Sequence, residues 1–366
     1  MQTALAVLGV VLLAGAATAL HWLFWTWRLA VPPREDELLA APTRDGWLLA
    51  LGHNRPRGAA RRPPVLLVHG IAMNRQAFEF GLERWALAPY LARAGLDCFA
   101  LDHRGHGGSR RAPGHVPRAP ARWSLDTYLA EDVPAALDAI RARTGEERVL
   151  WVGHSQGALI GLAACALYPE RIAGIVALAG PVRFDAQPRV RRLLERRLLG
   201  LEGRMARFAA RMIAPFAGLW HPPLAELAIR HRNVEPRVSR RLLANAIEDL
   251  QPGVVEQFRT FFREDAFRSM DGATDHRAAL ARCRQPALFV AAERDGLAPP
   301  PVVEAAHRLW GGPKRYVLFE RGFGHTDLLL GRDAPEVVFP VVLEFLLGLS
   351  REAGGAPRGE PVGDSR

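Results

Sequence analysis

Six short apolar runs alternate with helix-like segments over most of this 366-residue chain. The runs lie at 65–68, 98–101, 149–152, 175–179, 287–292 and 316–319. Because apolar and polar residues hardly alternate within them, they are typical of strands that a parallel sheet buries on both faces. Helical patterns lie between most of the runs, at 85–94, 129–143, 156–168 and 302–310. This alternation predicts an α/β fold with a doubly wound, mostly parallel sheet.

The alternation breaks between the fourth and fifth runs. The interval 180–286 is far longer than one crossover helix requires, and amphipathic patterns at 190–212 and 237–250 predict helices within it. We interpret the interval as a helical cap over the strand ends. The end of the chain is rich in glycine, proline and charge, which predicts disorder. The predicted boundaries of core, cap and tail are 31–182 with 284–349, 183–283 and 350–366.

The amino-terminal segment is apolar and has no charged side chain before Arg28. Its apolar run, 4–20, leads into three tryptophans, as expected where a transmembrane helix meets lipid headgroups. We therefore predict a membrane anchor at 1–30. A cleaved signal peptide is the alternative, because Ala17-Thr18-Ala19 fits a cleavage site. Against cleavage, no lysine or arginine precedes the run, and the run is long for a signal.

The charges beside this segment predict its orientation. Arg28, Arg34 and Arg44 follow the apolar run, whereas only the α-amine precedes it. Positive charge favours the cytoplasmic side, so we predict a single-pass protein with a cytoplasmic catalytic domain. Cleavage of the segment would instead give a secreted or periplasmic protein.

The chain is basic, with 48 lysines and arginines against 38 acidic residues, a net charge of +10. It has no zinc-finger, basic-zipper or RNA-binding signature, so nucleic acid is not an expected partner. Fourteen arginines and five acidic residues lie between Arg183 and Arg241, which accounts for nearly the whole surplus. A basic amphipathic cap fits an anionic membrane surface. Simple solvation of the arginines explains the same pattern.

Cysteine usage argues against disulfides and metal sites. Cys98, Cys165 and Cys283 lie in apolar runs, which predicts buried, unpaired thiols. The sequence contains no CxxC or HExxH pattern. We therefore expect no metal and no organic cofactor.

The most specific motif is Gly153-His154-Ser155-Gln156-Gly157. It follows a predicted strand and opens a predicted helix, which is the context of a GxSxG nucleophile elbow. Side chains at Gly153 and Gly157 would collide with neighbouring backbone in so tight a turn. Ser155 is thus the predicted nucleophile, held at the amino end of a helix whose dipole favours developing negative charge.

A serine nucleophile needs a general base, and the base needs an orienting acid. Asp295 follows the run at 287–292, and His325 follows the run at 316–319, in the chain order that this fold requires. We predict that these two residues complete a triad with Ser155. Asp185, after the run at 175–179, is the alternative acid.

Two backbone amides are the predicted oxyanion donors. The amide of Gln156 follows the nucleophile directly, and the amide of Ile71 belongs to the loop after the first run. We interpret His69 and His154 as structural residues that form hydrogen bonds rather than as catalysts.

With these motifs the chain resembles the α/β-hydrolase-fold serine hydrolases of the lipase and esterase branch, over residues 38–348. The loop Asp102–Ser109 is similar to that of monoacylglycerol lipases. The segment Asp132–Asp138, with the elbow, looks like acid lipases and polyhydroxyalkanoate synthases. Those synthases use a cysteine nucleophile, and epoxide hydrolases and haloalkane dehalogenases an aspartate. Serine at position 155 therefore implies ester hydrolysis.

The function expected from the resemblance is hydrolysis of carboxylic esters, including lipid-like acyl esters, through an acyl-enzyme. The class includes lipases, esterases and lysophospholipases. A thioesterase or acyltransferase would use the same triad and remains open. A non-catalytic, membrane-tethered binding module is a third reading, but it predicts a damaged triad.

Overall fold

The structure is a computed structural model that describes residues 2–114, 122–195, 205–221 and 225–354. Its centre is a nine-stranded sheet. The strands are β1 (Glu37–Pro42), β2 (Trp47–Asn54), β3 (Arg61–Val68), β4 (Leu96–Leu101), β5 (Arg110–Arg111), β6 (Val149–His154), β7 (Ile172–Leu178), β8 (Ala287–Ala292) and β9 (Lys314–Phe319).

The strand order is β1-β2-β4-β3-β6-β7-β8-β9, and β5 pairs with β2. All pairs from β4 to β9 are parallel, whereas β1 and β2 pair antiparallel at one edge. Strands β6 and β8 are buried along their whole length, as the apolar runs predict. The predicted doubly wound, mostly parallel sheet is thus confirmed.

Thirteen α-helical segments accompany the sheet in the described ranges. They are α1 (Gln2–Leu29), α2 (Leu87–Arg93), α3 (Leu125–Thr127), α4 (Val133–Thr144), α5 (Gln156–Leu167), α6 (Pro188–Glu195), α7 (Ala206–Ile213), α8 (Pro236–Asn245), α9 (Pro252–Glu264), α10 (His276–Ala279), α11 (Pro300–Leu309), α12 (Asp327–Leu330) and α13 (Ala334–Gly354). A π-helical turn, Tyr128–Asp132, joins α3 to α4.

The predicted cap interval contains helices α6 to α10. Residues 196–204, within the helix predicted at 190–212, lie outside the described residues. The helix predicted at 237–250 is too long, because α8 ends at Asn245. Ile247 instead forms a β-bridge with Met73, in the loop after β3.

Helix α1 covers nearly all of the predicted anchor. Among the described residues it is the one helix long and apolar enough to cross a membrane. Its last turns contact α7 and α8 of the cap interval. At the other end of the chain, α13 extends to Gly354, so the first residues of the predicted tail are helical; residues 355–366 lie outside the description.

Candidate active site

The turn between β6 and α5 forces its central residue into an unusual backbone conformation. Ser155 has φ +56° and ψ −119°, a region that side-chain-bearing residues rarely occupy. Its amide donates a hydrogen bond of 2.8 Å to the carbonyl of Leu178 on β7. A Cβ on Gly157 would overlap the carbonyl of Val68, and one on Gly153 would overlap the carbonyl of Gly157. The glycines therefore allow the close approach that presents Ser155 at the carboxyl ends of the strands.

Asp295 and His325 meet at the same edge of the sheet. Asp295 follows β8 and His325 follows β9, and the two side chains are buried. Nδ1 of His325 lies 2.7 Å from Oδ2 of Asp295. The other carboxylate oxygen accepts the amides of Leu297 at 2.8 Å and Ala298 at 2.7 Å. These bonds fix the carboxylate, and an Nδ1–H donor leaves Nε2 of His325 available to accept a proton.

The imidazole of His325 lies close to the turn that holds Ser155. Nε2 of His154, the residue before Ser155, donates 3.0 Å to the carbonyl of His325, and the two ring centroids are 4.7 Å apart. Among the described residues, no hydrogen bond joins Oγ of Ser155 to His325. In sites without substrate this bond is often long, and it shortens when substrate binds.

The alternative acid, Asp185, has a different environment. It pairs with Arg183, two residues earlier, and its side chain is 45% exposed. His325 forms its carboxylate hydrogen bond with Asp295. The geometry therefore favours Asp295 as the orienting acid.

The loop after β3 passes beside the nucleophile. A Cβ on Gly70 would lie 3.1 Å from the Cβ of Ser155. The amides of Ile71 and Gln156 have no acceptor within the described parts of the chain. The amide of Gln156 directly follows Ser155, and that of Ile71 follows Gly70, so the prediction that both donate to an oxyanion is compatible with this geometry.

A short segment of the cap interval holds this loop in place. The amide of Glu248 donates 2.9 Å to the carbonyl of Ala72, which has φ +54°, and the amide of Asn74 donates 3.2 Å to Ala246. Nδ2 of Asn74 also donates 2.9 Å to the carbonyl of Asn245. The left-handed conformation of Ala72 is therefore supported from outside the loop.

Asn245 joins the same segment to α1. Its Nδ2 donates 3.0 Å to the carbonyl of Leu29, and its Oδ1 accepts the amide of Val31 at 3.1 Å. The end of α1 and the loop after β3 are thus both hydrogen-bonded to one short piece of chain, residues 245–248.

His69 and His154 have the environments of structural residues. Nδ1 of His69 donates 2.8 Å to the carbonyl of Gly70, and its Nε2 accepts the amide of His103. Burial lowers the pKa of His69 well below its usual value, and burial together with His325 lowers the pKa of His154 to about 3. Both rings are therefore neutral hydrogen-bonding groups at physiological pH.

A buried ion network around Arg75 was not predicted from the sequence. Arg75 contacts Asp102 at 2.7 Å, Glu79 at 3.0 Å and Glu35 at 2.8 Å. Asp102 also accepts the amide of Gly108 at 2.8 Å and so shapes the loop after β4. Glu79 lies one helical turn after Arg75, but Glu35 and Asp102 are distant from it in the sequence, and no local pattern identifies them as its partners.

Comparison with known proteins agrees with this architecture. The family described as alpha/beta hydrolase fold matches residues 63–331. Human lipase member K is 34% identical over 135 residues, which cover 35% of this chain and 34% of that protein. Epoxide hydrolase A of Mycobacterium tuberculosis is 29% identical over 323 residues, 80% of this chain and 92% of that protein. The chain thus matches about a third of the length of the lipase but most of the epoxide hydrolase.

Solved structures show the same fold. A thermophilic esterase from Thermogutta terrifontis superposes with a TM-score of 0.59 and 19% identity. The superposition covers 86% of this chain and 99% of the esterase. At this level of identity the likeness describes the arrangement of the elements around the site.

Proposed function

The chain belongs to the alpha/beta hydrolase family, and on this premise we propose that it is a serine hydrolase of carboxylic esters. The observation that carries the proposal is a serine in a strained turn, whose preceding residue contacts a histidine that is hydrogen-bonded to a buried aspartate. Ser155 has φ +56°, and Nδ1 of His325 lies 2.7 Å from Asp295. Nucleophile, base and orienting acid are the parts that acyl transfer by serine requires.

The proposed reaction begins when Nε2 of His325 takes the proton of Ser155 as Oγ attacks the ester carbonyl. The carbonyl oxygen becomes an oxyanion, to which the amides of Ile71 and Gln156 donate. His325 then protonates the alkoxy oxygen as the carbon–oxygen bond breaks, so the alcohol leaves and an acyl-serine remains.

Water completes the cycle. His325 removes a proton from a water molecule that attacks the acyl-serine, and the same two amides stabilise the second oxyanion. The serine oxygen recovers the proton from His325 as the carboxylic acid departs. Asp295 stays ionised throughout and stabilises the imidazolium that forms twice.

We propose lipid-like acyl esters as the substrate class. The partial likeness to lipases and the apolar side chains of the cap interval support it. A thioesterase or acyltransferase would use the same residues, and acceptor competition separates them: added alcohols divert the acyl group from water in an acyltransferase. The likeness to an epoxide hydrolase raises epoxides as a second candidate substrate class. Epoxide hydrolases, however, carry an aspartate nucleophile where this chain has Ser155, so we favour esters.

We also propose that α1 is a retained, single-pass anchor with the catalytic domain on the cytoplasmic side. The helix runs without interruption from Gln2 to Leu29, through the candidate cleavage site at Ala17–Ala19. Intact-mass measurement of membrane-extracted protein tests retention. A mature chain that begins at Leu20 would contradict it and support a secreted or periplasmic protein.

The test of the enzyme is hydrolysis of p-nitrophenyl esters of increasing chain length, with fluorophosphonate labelling in parallel. We expect labelling and turnover in the natural protein and loss of both in Ser155→Ala. Ser269→Ala, a serine in an exposed turn, is the matched control and should behave as the natural protein. Turnover of an aryl epoxide but not of esters would overturn the proposal.

A further inference from the structure

Helix α1 has two parts that differ in their surroundings. From Gln2 to Leu20 the side chains are exposed, apart from the half-buried Gly9. From His21 to Leu29 every third or fourth residue is covered, namely His21, Trp22, Trp25, Thr26 and Leu29. The 19 residues of the first part rise about 28 Å, close to the roughly 30 Å of a bilayer's hydrocarbon core. The covered part thus begins where the helix would leave the bilayer.

The covered part of α1 is seated on the cap interval. Nε2 of His21 lies 3.1 Å from the carbonyl of Met212, and its ring stacks on Phe216 with centroids 6.0 Å apart. The guanidinium of Arg211 lies 5.7 Å from the ring of Trp22. His21 is the residue at which α1 is predicted to leave the hydrocarbon core. Because Phe216 stacks on His21, it lies at the level of the lipid headgroups.

Large apolar side chains are exposed at this same level. We call Ile213, Phe216, Leu219 and Trp220 the cap patch. Their exposed fractions are 36%, 49%, 78% and 58%. Four such neighbours, two of them aromatic, form a contiguous apolar feature that water does not favour.

Basic groups border the cap patch. Nε of Arg240 donates 2.9 Å to the carbonyl of Ala217, within the patch segment, and Arg211 lies against α1. Aromatic and aliphatic side chains flanked by arginine suit the boundary between acyl chains and anionic headgroups. The charge surplus of this interval has the sign that anionic lipids attract.

We propose that the cap patch inserts into the headgroup layer of the bilayer that α1 crosses, so that the membrane surface itself is its binding partner. The inference rests on the proposed anchor and on the proposed ester hydrolysis. Because the patch residue Phe216 stacks on His21 of α1, the patch lies beside the bilayer that α1 crosses, which makes that bilayer its partner rather than a separate protein.

A small cavity lies beside the cap patch. It measures about 60 Å³, and its lining includes Ile213, Trp220 and Ile229. Ala225, on its wall, opens the segment whose carbonyls at Leu227 and Ala228 accept the amides of Gly296 and Thr326. Gly296 and Thr326 are the neighbours of Asp295 and His325. The cap patch is therefore connected to the loops of Asp295 and His325 through the segment 225–228.

The experiment places a fluorescent probe at the patch in the full chain. Cys98, Cys165 and Cys283 are buried, so a new surface cysteine is labelled selectively. Leu219→Cys carries the probe, an environment-sensitive nitrobenzoxadiazole group. Leu167→Cys, an exposed leucine at the far end of α5, is the matched control. Both proteins are reconstituted in phosphatidylcholine–phosphatidylglycerol vesicles with and without doxyl-labelled lipid.

We expect a blue shift and quenching by doxyl lipid at position 219 and neither effect at 167. Equal probe behaviour at the two positions would overturn the inference. A blue shift without lipid quenching, together with crosslinking between chains, would assign the patch to a second copy and also overturn it. Trp220→Cys repeats the measurement if the first variant folds poorly.

Fluorophosphonate labelling of the same samples separates the two proposals. Quenching at 219 in a protein whose Ser155 does not react would support the membrane contact and overturn the hydrolase. A reactive Ser155 with an unquenched probe would do the reverse.

Discussion

The sheet core and the cap interval use arginine in opposite ways. In the core, Arg75 and Arg104 are buried, and their partners include Asp102 and Asp132, both at 2.7 Å. In the cap interval, arginines such as Arg191 are about half exposed and pair with neighbours on their own helix. Charge in the core therefore fixes loops around the site, whereas charge in the cap stays available to an outside partner.

The difference follows from solvation. A buried guanidinium loses its water and must be compensated by carboxylates and carbonyls, so its removal leaves those groups unpaired. Water solvates an exposed guanidinium with or without its partner, and such pairs contribute little to stability. The core and the cap interval should thus respond differently to the same substitution.

The largest expected effect separates the two candidate acids. Asp295→Asn removes the charge that orients His325, and we expect kcat/KM for p-nitrophenyl esters to fall about 10⁴-fold. Asp185→Asn, at the edge of the cap interval, should leave kcat/KM near that of the natural protein. Steady-state kinetics on both variants decide, and the opposite order would make Asp185 the acid.

The next effect compares two arginines. Arg75→Met leaves Asp102 and its neighbours without their cation, and we expect a loss of about 3–5 kcal/mol in the free energy of unfolding. Arg191→Met should cost at most about 0.5 kcal/mol. Denaturant unfolding measures both values. Equal losses of unfolding free energy in the two variants would mean that buried and exposed arginines contribute equally to stability.

The smallest effect concerns acid stability. Burial, with the nearby His103, lowers the pKa of His106 to about 4. Between pH 6.5 and 4 the unfolded chain binds a proton at this residue that the folded chain does not, so stability falls as the pH falls. The contribution amounts to about 3 kcal/mol across the interval.

His106→Asn removes this titration, so its melting temperature should fall less steeply below pH 6.5 than that of the natural protein. Ser269→Ala, a substitution in the cap interval that removes no titratable group, is the control and should keep the natural slope. Identical slopes for all three proteins would show that His106 does not titrate in this way.

Local patterns predicted the sheet well, because strands buried on both faces appear as uninterrupted apolar runs. The run at 287–292 matches β8 residue for residue, and the run at 316–319 lies within β9. The turn at Ser155 was also predicted, because its position between a strand and a helix depends only on neighbouring residues. The placement of Asp295 beside His325 follows from adjacent parallel strands.

Contacts between distant segments could not be predicted in the same way. Nothing near Arg75 in the sequence points to Asp102, and nothing in 237–250 indicates that α8 ends where Ile247 pairs with Met73. Nothing in the acidic stretch at 35–37 indicates that Glu37 begins β1 or that Glu35 pairs with Arg75. The ion pairs of Arg75 and the end of α8 depend on residues that are distant in the sequence, so a local pattern does not predict them.

The hydrogen bonds of Asn245 have a mechanical consequence. Its side chain binds the last turn of α1, and its carbonyl binds Asn74 in the loop that carries Ile71. A tilt of the helix that reaches this asparagine is passed along residues 246–248 to that loop. On the proposed anchoring of α1, the thickness of the bilayer, which influences the tilt of a spanning helix, has a physical route to the loop beside Ser155.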